Sequence, residues 1–541
     1  MMKWVKSGAP WIWLTAGAVS ISLLIVMGLL LLIGWKGLSY FWPSTLYEYE
    51  VKSADGAEQR FIGQVYQREQ VSWQQLGMQE GSEPFVERWL IKTANRGESR
   101  QEFVSLLSAH VTKQHVPDDV AVIERSRNGL FFGYPVAVIE NGERYPLDKL
   151  ETLLTQSEQT REQIEELEQY AIGAVNWELE KRRLERRRLA QQDKLTAQQE
   201  VRIEREVAAL ELQHEHIVQQ LAALDDEVNQ DWLVVLDSTG DEYLLPLADV
   251  LDLWYPNKMR TVDKIVHWGR QIGKFVSDDP REANTDGGVF PAIFGTVLMV
   301  LLMSVIVTPL GVIAAVYLNE YARNNAFTRL IRIAVINLAG VPSIVYGVFG
   351  LGFFVYTIGG SVDALFYSES LPAPTFGTPG LLWSALTLAL LTLPVVIVST
   401  EEGLGRVPFS VREGSMALGA TQFETLWRIV LPMATPAIMT GLILAIARAA
   451  GEVAPLMLVG VVKMAPALPI DANFPYLHLE RKFMHLGYHI YDVGFQSPNI
   501  EAARPLVYAT SFLLVMVIVS LNLTAIGIRN HLRDKFRLLE Q

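Results

Sequence analysis

There is no cysteine anywhere in the 541 residues. Disulfides, thiolate nucleophiles and cysteine-bearing metal sites are therefore excluded, and nine scattered histidines are a thin basis for any other metal site. A basic excess is also missing. The net charge of −13 argues against nucleic-acid binding, which needs a cationic face. A phosphate-binding loop is missing too. The nearest approach, GRQIGKF at 269–275, has three residues between its glycines instead of four, and Phe where Ser or Thr would bind Mg²⁺. No other motif of that kind occurs, so the chain itself does not hydrolyse ATP.

What is present is apolar. Half of the residues are hydrophobic, concentrated in uninterrupted runs near the length of about 20 residues that a helix needs to cross a bilayer. The first run, 11–34, follows Lys3 and Lys6 and meets Trp35, Tyr40, Phe41 and Trp42. A signal peptide has an apolar region of about 7–15 residues and a small-residue cleavage site, so an uncleaved anchor is the better reading. Five more runs follow, at 290–318, 333–358, 380–400, 433–462 and 504–528. Six spans put both termini on one side. Lys3 and Lys6, then Arg323, Arg329 and Arg332, then Arg406, Arg412 and Arg428, and finally Arg529, Arg533, Lys535 and Arg537 all fall on that side. The positive-inside rule makes it the cytoplasm.

Between the first two runs lies a polar domain, 36–288. It holds 29 Lys/Arg against 45 Asp/Glu, a net of −16, which leaves about +3 for the rest of the chain. This topology places it outside, in the periplasm. LYEYEVKSADGAEQRFIGQVY alternates apolar and polar residues around Asp55-Gly56, a hairpin signal. VAVIENGERYPLDKLETL (136–153) and LVVLDSTGDEYLLPLADVLDL (233–253) each read as strand, turn, strand and the start of a Leu-rich helix. The segment 151–227 between them has no Pro and one Gly and carries apolar residues at helical spacing, a coiled-coil composition. A single helix of that length would part the flanking units by about 110 Å. An antiparallel hairpin turning near 190–196 returns them to each other. KRRLERRRLA (181–190) reads first as a solvated helix face, with a lipid- or partner-binding patch as the other possibility.

The chemistry is concentrated at 401–462. Glu413 is followed by Gly419 at +6, Ile429 at +16 and then Leu431-Pro432. Glu413 to Gln422 fits a short helix that Gly419-Ala420 closes. The apolar run after it contains Arg448 and Glu452, four apart and so on one helix face. Counting from Pro432, Arg448 lies about 24 Å along, at mid-membrane depth or slightly beyond. Charge there is costly unless paired or wetted and marks a functional site by default. One reading is a structural ion pair. The other is a path for an anion, since the planar guanidinium suits tetrahedral oxyanions, with Glu452 moderating its grip. NLAGVPSIVYGVFG in the third run adds Ser343 and Tyr346 as path-lining candidates, and Gly340 and Gly347 as sites of close helix packing. HLGYH at 485–489 lacks the Glu of a zinc-protease helix and reads as structural.

The Glu–Gly–Ile–Leu-Pro frame is similar to the EAA loop of ABC importer permeases, with Gly414 and Ser415 where that loop has two alanines. Together with NLAGVPSIVYGVFG, TLPVVIVSTEEGLGRVP and ARAAGEVAPL, it resembles the PstA-type permease subunits of bacterial phosphate ABC importers over about 250 residues. The resemblance implies a mainly α membrane protein with a type I importer permease fold of six transmembrane helices, plus an α+β periplasmic domain containing a coiled-coil hairpin. Its parts would be 1–35 (cytoplasmic N-terminus and first span), 36–288 (periplasmic domain, with the coiled-coil insert at about 151–227) and 289–541 (a five-helix permease core). The 36–288 insert departs from the compact family pattern.

The same resemblance implies a non-catalytic subunit of an ATP-driven phosphate importer in the bacterial inner membrane. It would pair with a sister permease, two ATPase subunits and a periplasmic phosphate-binding protein, contact membrane lipid and bind no nucleic acid. No cofactor would sit on this chain; ATP and Mg would belong to the ATPase. Glu413, Gly419, Ile429, Leu431 and Pro432 in the 401–432 loop would couple to the ATPase, and Arg448, Glu452, Ser343 and Tyr346 would line the path. The alternatives are a permease for another oxyanion or small solute, and a membrane sensor whose coiled coil relays a signal. A sensor needs an output domain, which neither terminus is long enough to supply.

Overall fold

Hydropathy dictates the larger part of the molecule. In the computed structural model, which describes residues 9–52, 58–73, 85–95, 102–323, 325–497 and 500–537, six helices are long and apolar enough to cross a membrane. They are Trp11–Ser39, Phe290–Tyr321, Ser343–Phe366, Leu381–Gly405, Gln422–Gly451 and Ala503–His531, here called the first to sixth spans. The chain divides into two compact units, one of residues 1–40 and 274–541, the other Phe41–Gly273.

In the membrane unit the fourth span is the most enclosed. Its Leu388 and Leu391 join Met299 and Met303 of the second span and Ala445 and Ala449 of the fifth in one buried core. The first span has an almost fully exposed apolar surface, as lipid contact requires. It packs on the sixth, where Gly34 meets Phe512 and Gly37 meets the Ala509 backbone.

Two spans differ from the hydropathy reading. The third does not begin at residue 333. A separate helix, Ala326–Leu338, ends first, and the span restarts at Ser343. Pro342 forces the break. Its backbone is extended (ψ 135°), it has no N–H to donate, and proline disfavours helix in the residue before it. Asn337 therefore lies in the last turn of the preceding helix, and Gly340 and Pro342 lie in the break rather than inside a span. Gly340 makes no close packing contact. The fifth span stops at Gly451 instead of running to residue 462, with Glu452 already extended (ψ 129°) and Pro455 just beyond. A short helix, Leu456–Val459, follows.

The 41–273 unit carries two antiparallel sheets. The first has strands β1 (Tyr47–Lys52), β2 (Glu58–Ser72), β3 (Phe85–Lys92), β4 (Phe103–Leu107) and β5 (Val111–His115), in the order β4-β3-β2-β1-β5. Tyr47 pairs with Gly63 and Lys52 with Glu58. The Asp55-Gly56 turn expected between β1 and β2 lies outside the described residues. The second sheet contains β6 (Ala121–Arg125), β7 (Leu130–Glu140), β8 (Glu143–Tyr145), β9 (Trp232–Leu236), β10 (Glu242–Pro246) and β11 (Val250–Trp254). Its order is β10-β9-β7-β6-β11, with β8 on β7.

The two resembling segments are the hairpins β7–β8 and β9–β10. They diverge at their ends. The first runs into a helix from Leu150, whereas the helix expected after β10 is the strand β11, paired with β6 from Val250↔Arg125 to Trp254↔Val122. VLDLW places β-branched and aromatic residues where β6 offers an open edge, and the pairing overrides its leucines.

Between the hairpins the chain goes out along Leu150–Glu166 and Gly173–Gln191, joined by a wider helical turn at Leu167–Ile172, and returns along Ala197–Val228. The turn falls at 192–196. Thr196 caps the returning helix: its hydroxyl accepts from Gln199 N while the Gln199 side chain accepts from Thr196 N. KRRLERRRLA is laced to neighbouring acids, Arg182 to Glu178, Glu185 and Glu206, and Arg186 to Glu200. Those partners match the solvated-face reading.

Candidate functional site

The segment between the fourth and fifth spans folds into a short helix, Phe409–Ala417, earlier in the chain than the expected 413–422. It closes before Gly419, whose φ of +91° is left-handed and strained for any other residue. Thr421 then opens the next helix with a capping box to Glu424. Two internal bonds fix the loop. The Ser415 and Thr425 hydroxyls meet at 2.8 Å in a buried position. Arg412 places Nη1 2.6 Å from both carboxylate oxygens of Glu320, at the end of the second span, and its Nη2 donates to the Leu404 carbonyl at 2.7 Å. Both side chains of that ion pair are about 15% exposed or less.

Against this scaffold Glu413 is exposed. So are Phe409, Met416, Leu418, Phe423 and Trp427, the last two stacked on each other. Ile429, Leu431 and Pro432 are not part of the presented surface. They belong to the entry of the fifth span, where Leu431 packs against Leu404, Val430 and Ala434 and Pro432 takes the first-turn position that tolerates its missing N–H. The motif therefore splits into one outward group, one turn glycine and three residues that seat the span. The Arg412–Glu320 tie is invisible in the motif. Arg412 registers in the sequence only as an inside-facing charge, and its partner lies 92 residues away.

The second cluster gathers at the end of the fifth span. Arg448 sits in the last helical turn and Glu452 at its cap, outside the helix, so the two do not share a continuous helical face. They still pair, Nε to Oε1 at 3.6 Å, with side chains 32% and 22% exposed. That leaves Arg448 partly open. Tyr346 is buried in the same core as Ala445 and Ala449, and its hydroxyl donates across the break to the Leu338 carbonyl. Ser343, one turn earlier, is half-buried. Gly347 permits the close approach: a Cβ there would lie 2.7 Å from Pro455 Cα. Gly347→Val is expected to lower the amount of folded protein in the membrane, because overpacking costs about 1–3 kcal/mol. Gly352→Ala, with open space around it, is the neutral control, and immunoblots of membranes measure both.

The 433–462 hydropathy run would put Lys463 at the end of the Arg448 helix, but that helix has already stopped at Gly451. Lys463 follows the short helix and pairs with the buried Asp492 at 3.1 Å. In HLGYH, His485 Nδ1 accepts from Gly487 N and caps Leu486–Tyr491. Burial lowers the pKa of His485 to about 4; burial, aided by the Lys463 charge, does the same to His489. Both imidazoles are neutral near pH 7. Among the described residues no three His, Asp or Glu side chains come together as a metal site.

A family model described as "Binding-protein-dependent transport system inner membrane component" matches residues 307–538. The chain is 39% identical over 218 residues to the phosphate transport system permease protein PstA of Mycobacterium leprae, covering 40% of this chain and 64% of that one. It thus spans just under two thirds of that relative. It is 31% identical over 258 residues to the probable ABC transporter permease protein YqgI of Bacillus subtilis, covering 47% of this chain and 81% of the other. The probable phosphate transport system permease protein PstA of Methanocaldococcus jannaschii is likewise 31% identical over 258 residues, with 47% and 79% covered.

Proposed function

This chain belongs to the PstA-type permease family, and from that premise we propose that it is the membrane subunit of an ATP-driven importer of inorganic phosphate. The observation that carries the substrate is Arg448, a partly open guanidinium at the end of a membrane helix, held on one side by Glu452. Such a group binds a tetrahedral oxyanion through paired donors, and the adjacent carboxylate weakens the grip enough for release. Half-buried Ser343 continues the lining, whereas Tyr346, enclosed in the core and bonded to the Leu338 carbonyl, supports it from behind.

The subunit forms half of the path beside a sister permease in a heterodimer. Two ATPase subunits carry ATP and Mg, and a periplasmic phosphate-binding protein delivers the substrate. The exposed loop with Glu413 and its apolar neighbours is the ATPase docking surface. The subunit itself is not catalytic. It lies in the bacterial inner membrane with both termini cytoplasmic and the 36–288 domain periplasmic. Labelled phosphate uptake by a permease-deletion strain tests this reading. The chain is expected to restore uptake with little inhibition by excess sulfate. No restoration, or equal inhibition by sulfate, would overturn the substrate assignment.

The orientation has its own test. Protease added to intact spheroplasts is expected to cut at the exposed hairpin turn, 192–196. Protection there, with cutting only in inverted vesicles, would reverse the topology.

A further inference from the structure

The polar domain is poor in cations, yet two of them line one pocket of the 41–273 unit. Residues 36–288 carry 45 Asp/Glu against 29 Lys/Arg. Arg68 and Lys264 nevertheless share a pocket of about 300 Å³ with Trp42, Thr45, Tyr47 and Val65, and no Asp or Glu lines it. Among the described residues neither cation has an acidic partner. The acids next to them in sequence are engaged elsewhere. Glu69 pairs with Arg88, and the Asp263 carboxylate accepts from Arg260 N. The Thr45 and Tyr47 hydroxyls likewise bond to no described residue. Two uncompensated positive charges repel each other, and an anion between them removes that cost.

Three parts of the chain meet at this pocket, and each is fixed from behind. Leu46, inside the 42–47 stretch, is fully buried beside Ile62 and Phe132. Asn257 accepts from its N–H at 3.1 Å and donates to its carbonyl at 2.9 Å. Arg68 stands on β2 opposite Trp89 of β3, with its guanidinium carbon 4.9 Å from the centre of that ring. Lys264 belongs to the helix Thr261–Ser277. The buried His267 of that helix lies 4.6 Å, ring to ring, from Trp254. Donors held on such a frame lose little freedom when a ligand arrives, which is how preorganisation raises affinity.

We propose that this pocket binds a small soluble phosphomonoester, with the phosphoryl group on Arg68 and Lys264 and the organic part against Trp42 and Val65. Charge selects the head group. A phosphomonoester carries about −1.5 to −2 at pH 7 and three strong acceptor oxygens, which matches two cations and two free hydroxyls. A carboxylate has one charge and two oxygens, and it leaves one cation unpaired. Size selects the ester over the free anion. A volume of about 300 Å³ reaches the lower end of small-molecule pockets, roughly 300–1,000 Å³, and bare phosphate would leave the Trp42 and Val65 wall in water. The site goes beyond the transport reading. It rests on the 41–273 unit alone, and it stands whether or not Arg448 meets the transported anion.

Calorimetric titration of the purified complex, in phosphatidylcholine nanodiscs, with phenyl phosphate tests the site. One molecule is expected to bind per copy of this chain. Benzoate and inorganic phosphate are expected to displace it only at concentrations at least tenfold higher. Arg68→Gln, at an exposed position, and Lys264→Gln are each expected to weaken binding at least tenfold, whereas Arg448→Gln leaves it unchanged. In the unaltered complex phenyl phosphate is expected to slow acetylation of Lys264 by acetic anhydride, read by mass spectrometry, so the test does not hang on a variant that folds. No binding, undiminished binding in either pocket variant, or unprotected Lys264 overturns the proposal. So does loss of binding in Arg448→Gln, which would move the ligand to the membrane path. Displacement by inorganic phosphate at equal concentration would give the pocket to the free anion. Displacement by phosphatidic acid added to the nanodiscs would give it to a lipid headgroup. Either result refutes the soluble ester.

Discussion

Arg448→Gln is expected to reduce phosphate uptake by about 100-fold or more, with the complex still assembled. Gln keeps much of the length and some hydrogen bonding but removes the charge. A hydrogen bond to a charged group contributes about 1.5–3 kcal/mol, and a bidentate anion contact has two. The loss therefore exceeds the roughly 2.8 kcal/mol that corresponds to a hundredfold change. The geometry separates this from a structural role. Glu452 is outside the helix and reaches Arg448 only at 3.6 Å, so the pair is a loose tether. Glu452→Gln is accordingly expected to be milder than Arg448→Gln.

If the pair were purely structural, both single changes would lower the membrane level of the complex, and the double neutral variant would recover assembly and uptake together. Uptake in the two singles and the double, normalised to complex in the membrane, decides the matter. Recovered uptake in the double would sink direct contact.

Arg412→Met is expected to abolish ATPase co-purification and uptake together. Its guanidinium is the tie between the helix Phe409–Ala417 and the end of the second span, and its partner Glu320 is only 13% exposed. Removing one member of a buried pair costs about 3–5 kcal/mol, because the other charge is stranded. The Leu404 carbonyl would also lose its donor. Glu320→Gln keeps the bond to Leu404 and a neutral acceptor, so a smaller loss is expected.

Glu413→Lys provides the contrast. Glu413 is exposed, so its reversal should leave the helix folded and the chain in the membrane, yet uncouple ATP hydrolysis from transport. Pull-down of the ATPase with uptake and hydrolysis rates distinguishes the three variants. Normal pull-down and uptake in Arg412→Met would remove the tie from the coupling machinery.

The contiguous features were legible before any coordinates. Six apolar runs mark six spans, because bilayer thickness sets a minimum length that no soluble core helix needs. Glu413, Gly419 and Leu431-Pro432 mark the loop, because turn chemistry and helix entry act over a few neighbouring residues. The hairpin of 150–228 follows from helical periodicity without glycine or proline to interrupt it, save Gly173.

The tertiary structure decided what depends on a partner distant in the chain. Hydropathy alone joined 333–338 to the third span, since the helix Ala326–Leu338 is itself apolar on one face, and only the backbone at Pro342 separates them. ADVLDL reads as the start of a Leu-rich helix but became a strand, because β6 offered an edge to pair with, and Leu251 and Leu253 stand two apart as a strand requires. Arg412 was one of several loop arginines until Glu320 arrived beside it from the second span. The helix Thr261–Ser277 has its apolar period written in the sequence, but the exposure of Val262, Ile265 and Val266 does not follow from the period. An amphipathic helix always has an apolar face, and whether protein or lipid covers it depends on which elements the rest of the fold brings near.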